Sequence, residues 1–186
     1  MTTTGHRKSK AAATVRPVPA GYTAVTPWII SRDTSKLFEF MKNAFGAREI
    51  ARVPSADGSR IDHAEFRIGD AVVMAFDTRP EWPETPGFLR LFVDDADAVY
   101  QKALDAEATS VTRVTPLFFG DRVGRVRDPL GNIWWIQTHA EDVTRRGDGA
   151  RCDAWIRSRQ RPCRGAPRRA FSAQPVRRGW RQATGP

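Results

Sequence analysis

Phe45-Gly-Ala-Arg-Glu-Ile-Ala-Arg-Val-Pro54 and Ala106-Glu-Ala-Thr-Ser-Val-Thr-Arg-Val-Thr-Pro116 rhyme as a weak repeat at two places in the chain. Each follows a stripe of apolar residues at helical spacing and leads into a segment of strand character. The chain therefore reads as one unit written twice. Before the first copy, Tyr22-Thr-Ala-Val-Thr-Pro-Trp-Ile-Ile30 is rich in β-branched and aromatic residues and predicts a strand. Asp33 or Thr34 can cap a helix bearing Leu37, Phe38, Met41 and Phe45, and Gly46 stops it. Strands follow near 48–54, 61–68 and 71–77, with Asp57-Gly58 and Gly69-Asp70 as turns. In the second copy Phe88–Val93 is the strand, and Asp94, Asp95 and Asp97 suit the positive end of a helix dipole. Val99, Tyr100, Ala103 and Leu104 form that helix's stripe, and strands follow near 110–118, 122–127 and 133–138. The expectation is an α+β body of two βαβββ modules at 22–77 and 86–139. One helix can cover only one face of each sheet. The other two faces are expected to meet around a central cup.

Charge divides along the 186 residues in a way that separates body from ends. The net charge of +9 is made of +4 in residues 1–20, −5 in 21–144 and +10 in 145–186. A basic nucleic-acid domain would carry its charge on the folded part, which here is mildly acidic. Arg, Ala, Gly and Pro fill 27 of the 42 positions from Arg145 to Pro186, too few apolar groups to offset ordering entropy. Residues 1–20 and 145–186 are therefore expected to be disordered extensions of a domain at 21–144. An Arg-rich arm that grips nucleic acid or an acidic partner nonspecifically is the alternative for the tail. Apolar runs are short, so no membrane span is expected. The N-terminus has no apolar signal segment, and both cysteines, Cys152 and Cys163, lie in the tail. A cytoplasmic protein is the expectation.

Five further motifs stand in order between residues 44 and 143: Ala44-Phe-Gly-Ala47, His63-Ala-Glu-Phe-Arg-Ile-Gly-Asp70, Gly120-Asp-Arg-Val-Gly124, Asp128-Pro-Leu-Gly131 and Thr138-His-Ala-Glu-Asp-Val143. With them the body resembles the vicinal oxygen chelate superfamily, which includes glyoxalases, extradiol dioxygenases and bleomycin-binding proteins. The similarity is strongest to its PhnB-like branch. The resemblance implies paired βαβββ modules around a cup, and relatives that commonly form homodimers, some by exchanging modules. It does not give a reaction.

Metal-dependent members hold a divalent ion with side chains on the first and last strands of each module. Those positions correspond to Thr26, Met74, Phe88 and Trp135. None is His, Glu or Asp, so no metal is expected there. Strand alternation places Trp28, Ile30, Val72, Phe76, Arg90, Phe92, Ile133 and Gln137 in step with them. The expected ligand-binding set is Trp28, Met74, Phe88, Arg90, Phe92, Trp135 and Gln137, with Arg90 able to meet an anionic group. These rings could equally be filling between sheets. His63 and Glu65, at i and i+2, share a strand face with Arg67. They read either as a solvated polar face or, if the cup lies on that side, as a base with its orienting carboxylate. Three functions follow: metal-free binding of a small aromatic or apolar molecule, an isomerase, lyase or dioxygenase with a site relocated to His63 and Glu65, or partner binding through the tail. No cofactor is expected under the first, and a divalent metal is possible only under the second.

Overall fold

The computed structural model describes residues 16–143 and 145–160. Each module is a four-stranded mixed sheet with one helix, in agreement with the α+β expectation. The first comprises β1 (Trp28–Ser31), α1 (Thr34–Phe45), β2 (Arg48–Pro54), β3 (Ile61–Ile68) and β4 (Ala71–Asp77). The second comprises β5 (Phe88–Phe92), α2 (Ala96–Asp105), β6 (Thr109–Pro116), β7 (Asp121–Arg127) and β8 (Ile133–His139). Strand orders are β1-β4-β3-β2 and β5-β8-β7-β6, with the first pair of each sheet parallel.

Both helices start by the same device. The Asp33 carboxylate accepts from Lys36 N at 2.8 Å and the Asp95 carboxylate from Ala98 N at 3.0 Å. The first helical amide is then taken by the last strand of the same module: Thr34 N donates to Asp77 at 2.7 Å, and Ala96 N to the Thr138 hydroxyl at 2.7 Å. α1 ends at Gly46, whose φ of 68° is the left-handed turn that a residue without Cβ adopts at little cost.

α1 buries Leu37, Phe40, Met41 and Ala44, and α2 buries Ala96, Tyr100 and Ala103. The helices pack on their own sheets and on each other. One core collects both, and Phe45 of α1 lies 4.8 Å from the Trp134 ring of β8. Trp134 is held by Asp128, the most heavily used polar group of the second module. Its carboxylate accepts from Leu130 N, Asn132 N, Asn132 Nδ2 and Trp134 Nε1, all within 2.7–2.9 Å. Asn132 in turn accepts from Gly87 N at 2.7 Å, which fixes the entry to β5. Arg32 ties the first module to this turn through Pro129 O and Leu130 O, and also pairs with Glu84 between β4 and β5.

Three expectations change. The first strand begins at Trp28, because residues 22–27 are turned by bonds from Tyr22 N to Pro19 O and from Thr26 Oγ1 to Thr23 O. The free faces of the two sheets do not meet within one chain. Since the helices stack on each other, the opposite faces point away from the shared core, leaving Trp28, Phe88 and Phe92 55%, 65% and 61% exposed. Finally, residues Arg145–Gln160, expected to be unstructured, form a helix, α3, whose Trp155 ring lies 5.6 Å from Phe118. Residues 1–15 and 161–186, the rest of the expected extensions, lie outside the described residues.

Asp128→Ala should destabilise the protein by about 3–4 kcal/mol, because it strands the buried N–H groups of Trp134 and Asn132 together. Asp128→Asn should recover little, since its NH2 group must oppose two donors whichever way it is turned. Denaturant midpoints at constant slope are the measurement, and a loss under 1 kcal/mol for Asp128→Ala would contradict this account.

Candidate functional site

The outward face of the first sheet is set by register. Trp28 lies beside Met74 across the β1–β4 pair, and Met74 opposes Glu65 across β4–β3. Ile30 lies beside Phe76, and His63, two residues from Glu65 on β3, shares the face. His63 and Glu65 thus stand on the same face as Trp28 and Met74, not on a separate polar one. The His63 ring meets Trp28 edge-on at 5.7 Å. His63 Nε2 is 3.0 Å from Glu65 Oε1, and the Tyr22 hydroxyl donates to Glu65 Oε2. Both side chains are more than two-thirds buried. The Tyr22 and His63 hydrogen bonds hold the Glu65 carboxyl below the usual carboxylate range, and the same bond raises the Tyr22 phenol. Glu65 is therefore a fixed anion, suited to orienting the imidazole and unsuited to donating a proton at neutral pH.

The second sheet turns a different row outward. Arg90 lies beside Trp135 across β5–β8, and Trp135 opposes Arg125 across β8–β7. The Arg125 guanidinium sits 3.7 Å from the Trp135 ring centroid and that of Arg90 4.7 Å. Arg125 also donates to Thr112 at 3.2 Å. Phe88 packs edge-on to Trp135 at 6.3 Å. The expected stacking surface of Trp135 is thus occupied by two cations, while Phe88 and Phe92 keep open rings.

Of the expected ligand-binding set, Trp28 and Met74 lie on the first sheet and Phe88, Arg90, Phe92 and Trp135 on the second. The structure brings each group together but does not join the two groups. Gln137 is only 2% exposed; its amide N–H donates to the buried Asp121 carboxylate, while its Oε1 is buried without a partner. Asp121 also holds His139 Nδ1 at 2.6 Å, and Asp142 holds the other ring nitrogen at 3.0 Å. Sequence reasoning missed Tyr22, placed within a strand, and Arg125, which no motif marked. The Glu65 register was legible, because a two-residue Gly69-Asp70 turn sets Ile68 opposite Ala71 and hence Glu65 opposite Met74.

The four positions of the superfamily's metal do not fit a hard divalent ion. Thr26 offers a single neutral hydroxyl, Met74 a thioether, and Phe88 and Trp135 only rings. Among the described residues no three His, Cys, Asp or Glu side chains are grouped to hold a metal. No helix there is long and apolar enough to cross a membrane.

Residues 21–136 match the family model of the Glyoxalase/Bleomycin resistance protein/Dioxygenase superfamily. An uncharacterized protein of Mycobacterium bovis is 38% identical over 131 residues, which cover 64% of this chain and 86% of that one. Among solved structures, TioX of Micromonospora sp. ML1 superposes with a TM-score of 0.55 at 24% identity, covering 63% of this chain and 98% of its own. A PhnB protein of Bacillus cereus superposes with a TM-score of 0.52 at 16% identity, covering 62% and 99%. These two likenesses show the fold.

His139 supplies a pH-dependent test of the β7–β8 end. Its pKa is raised above the ordinary 6.5, first by the Asp142 hydrogen bond and then by that of Asp121. A raised folded pKa means that its stabilising contribution is complete below the unfolded value and is lost as pH rises through the folded one. Histidine proton resonances should titrate above pH 6.5 for His139, and Asp142→Asn should bring the midpoint down. An unshifted midpoint in the wild type would remove the Asp121–His139–Asp142 arrangement from the account.

Proposed function

The chain belongs to the Glyoxalase/Bleomycin resistance protein/Dioxygenase superfamily, and from that premise we propose that it binds a small aromatic or apolar organic molecule in a cup formed between two copies of itself. The observation that carries this reading is the exposure of Trp28, Phe88 and Phe92 on the two outward sheet faces. Large rings on a regular sheet face, flanked by a few polar groups, suit a site that is mostly apolar with sparse orienting contacts. The reading calls for a second copy of the chain. That copy would cover both faces and the β5 edge, together with what the Ile30–Thr85 bridge leaves open of the β1 edge.

Charge favours one way of pairing. The central row of the first face is Trp28, Met74 and Glu65, and that of the second is Arg90, Trp135 and Arg125. Seating the first face of one copy against the second face of the other opposes Glu65 to two guanidiniums. Like faces would oppose like charges. The ligand then lies between rings, with the carboxylate and the guanidiniums at its polar ends. No metal is used at Thr26, Met74, Phe88 and Trp135.

One observation favours a second reading, an enzyme of this superfamily with its acid–base pair at His63 and Glu65. The two are bonded at 3.0 Å on the aromatic face. With Nε2–H directed at Glu65, Nδ1 keeps its lone pair and can take a proton from a bound substrate. His63→Ala separates the readings: ligand uptake should survive it, whereas turnover should not.

Light scattering at micromolar concentration should give a dimer, and Phe88→Asp should give a monomer that still unfolds cooperatively. Trp28→Ala should weaken ligand uptake by about 2 kcal/mol if the ring is covered in the complex. Calorimetric titration with Zn2+ and Mn2+ should show no tight uptake. Stoichiometric uptake that His63→Ala abolishes would overturn the metal-free reading and establish a relocated metal site.

A further inference from the structure

The linker between β4 and β5 builds a hollow that neither repeat accounts for. Arg79 N donates to Trp82 O and Trp82 N to Arg79 O, both at 3.0 Å, with Pro80 inside this turn and Pro83 after it. The turn holds the Trp82 indole half exposed beside a hollow of about 480 Å³, a volume in the range of small-molecule sites. Its apolar walls are Trp28, Ile30, Phe76 and Trp82, and the Trp28 and Phe76 rings meet edge-to-face at 5.8 Å. Its polar lining is one ion pair, Asp62 with Arg79, at 2.8 Å. The Arg79 guanidinium carbon lies 5.8 Å from the Phe76 centroid; its Nε is buried with no acceptor, and Asp62 Oδ1, though ion-paired with Arg79, is buried with no hydrogen-bond donor.

These features define a ligand. A linker that only had to span two modules would not need a doubly bonded turn with flanking prolines to hold an indole out of the core. The indole so held is a preformed aromatic wall. A buried N–H without an acceptor is costly and is relieved by a ligand oxygen. The Arg79 side chain is about a third exposed and turns its buried N–H toward the ligand on binding; Asp62 already compensates its charge, so that N–H suits a neutral acceptor better than a carboxylate, which Asp62 would repel. We propose that the hollow binds a planar, uncharged aromatic compound bearing a carbonyl oxygen, of the aryl ketone, lactone or quinone class. Its ring lies against Trp28 and Trp82 and its oxygen accepts from Arg79 Nε. This rests on the reading above that the outward face receives organic ligands, with which it shares Trp28, but it needs no second copy of the chain.

The test is a titration of the full-length nitrogen-15-labelled protein with coumarin, a flat neutral lactone, followed by the tryptophan indole N–H resonances. Naphthalene, which lacks the oxygen, and coumarin-3-carboxylate, which adds a charge, are the comparison probes. Coumarin should shift the Trp28 and Trp82 resonances and bind more tightly than either comparison probe. Trp82→Ala, at an exposed turn where folding is not at stake, should weaken it by about tenfold. Arg79→Met should abolish the preference for coumarin over naphthalene. Unshifted Trp28 and Trp82 resonances, undiminished affinity in Trp82→Ala, or preference for the carboxylate would each overturn the proposal. Coumarin binding lost in Phe88→Ala but kept in Trp82→Ala would place the ligand in the shared cup, ending this proposal and sparing the reading above. Coumarin bound at Trp28 and Trp82 by a protein that is monomeric throughout would do the reverse.

Discussion

A four-stranded sheet has two faces, and each module of this chain owns one helix. Once α1 and α2 stack on each other, both helices are spent on the inner faces, and everything else about the surface follows. Trp134 joins the layers by lying against Phe45 and Phe40 of the opposite module while its indole N–H is anchored on Asp128. The ring thus buries a large apolar area and still satisfies its one donor, the condition under which a tryptophan belongs in a core. Its neighbour Trp135, one residue on, must face outward because strand side chains alternate. The same dipeptide contributes one ring to the core and one to the candidate site.

The repeat makes the two outward faces comparable residue by residue. Trp28 beside Met74 in the first module corresponds to Arg90 beside Trp135 in the second, and Glu65 opposite Met74 corresponds to Arg125 opposite Trp135. Equivalent backbone positions of the two modules therefore present rows of opposite charge. A symmetric frame with asymmetric side chains is what a cup needs if it is to orient a ligand and not merely enclose it.

The elements were legible in the sequence where local chemistry decides them. Asp33, Gly46, Gly69-Asp70 and the repeated stretches marked helix ends, turns and strands close to their observed positions. The first strand was drawn too long because Tyr22, Thr23, Val25 and Thr26 have strand propensity. Propensity yields to the turn that carries the Tyr22 hydroxyl to Glu65. Gln137 was assigned to the site from alternation alone, which gives the face but not what lies over it; the Asp121 carboxylate accepts from its amide there. α3 was unreadable for the opposite reason: its composition lacks an apolar stripe, and no sequence rule places Trp155 against Phe118, 37 positions earlier.

The linker shows why the register matters more than the motifs for function. Its Ile30–Thr85 bridge and the bond from Thr78 N to Ser31 O keep it along β1, so that its tight turn falls beside Trp28 and Phe76 and not over the helices. A shift of one residue in the β1–β4 pairing would exchange Ile29 for Trp28 on the outer face, remove the ring from the hollow and leave an indole against α1. Parallel pairing of β1 with β4 is therefore the step that converts an apolar segment without a motif into a wall of the candidate site, and it is set by the burial of Ile29 and Ala75 on the core side.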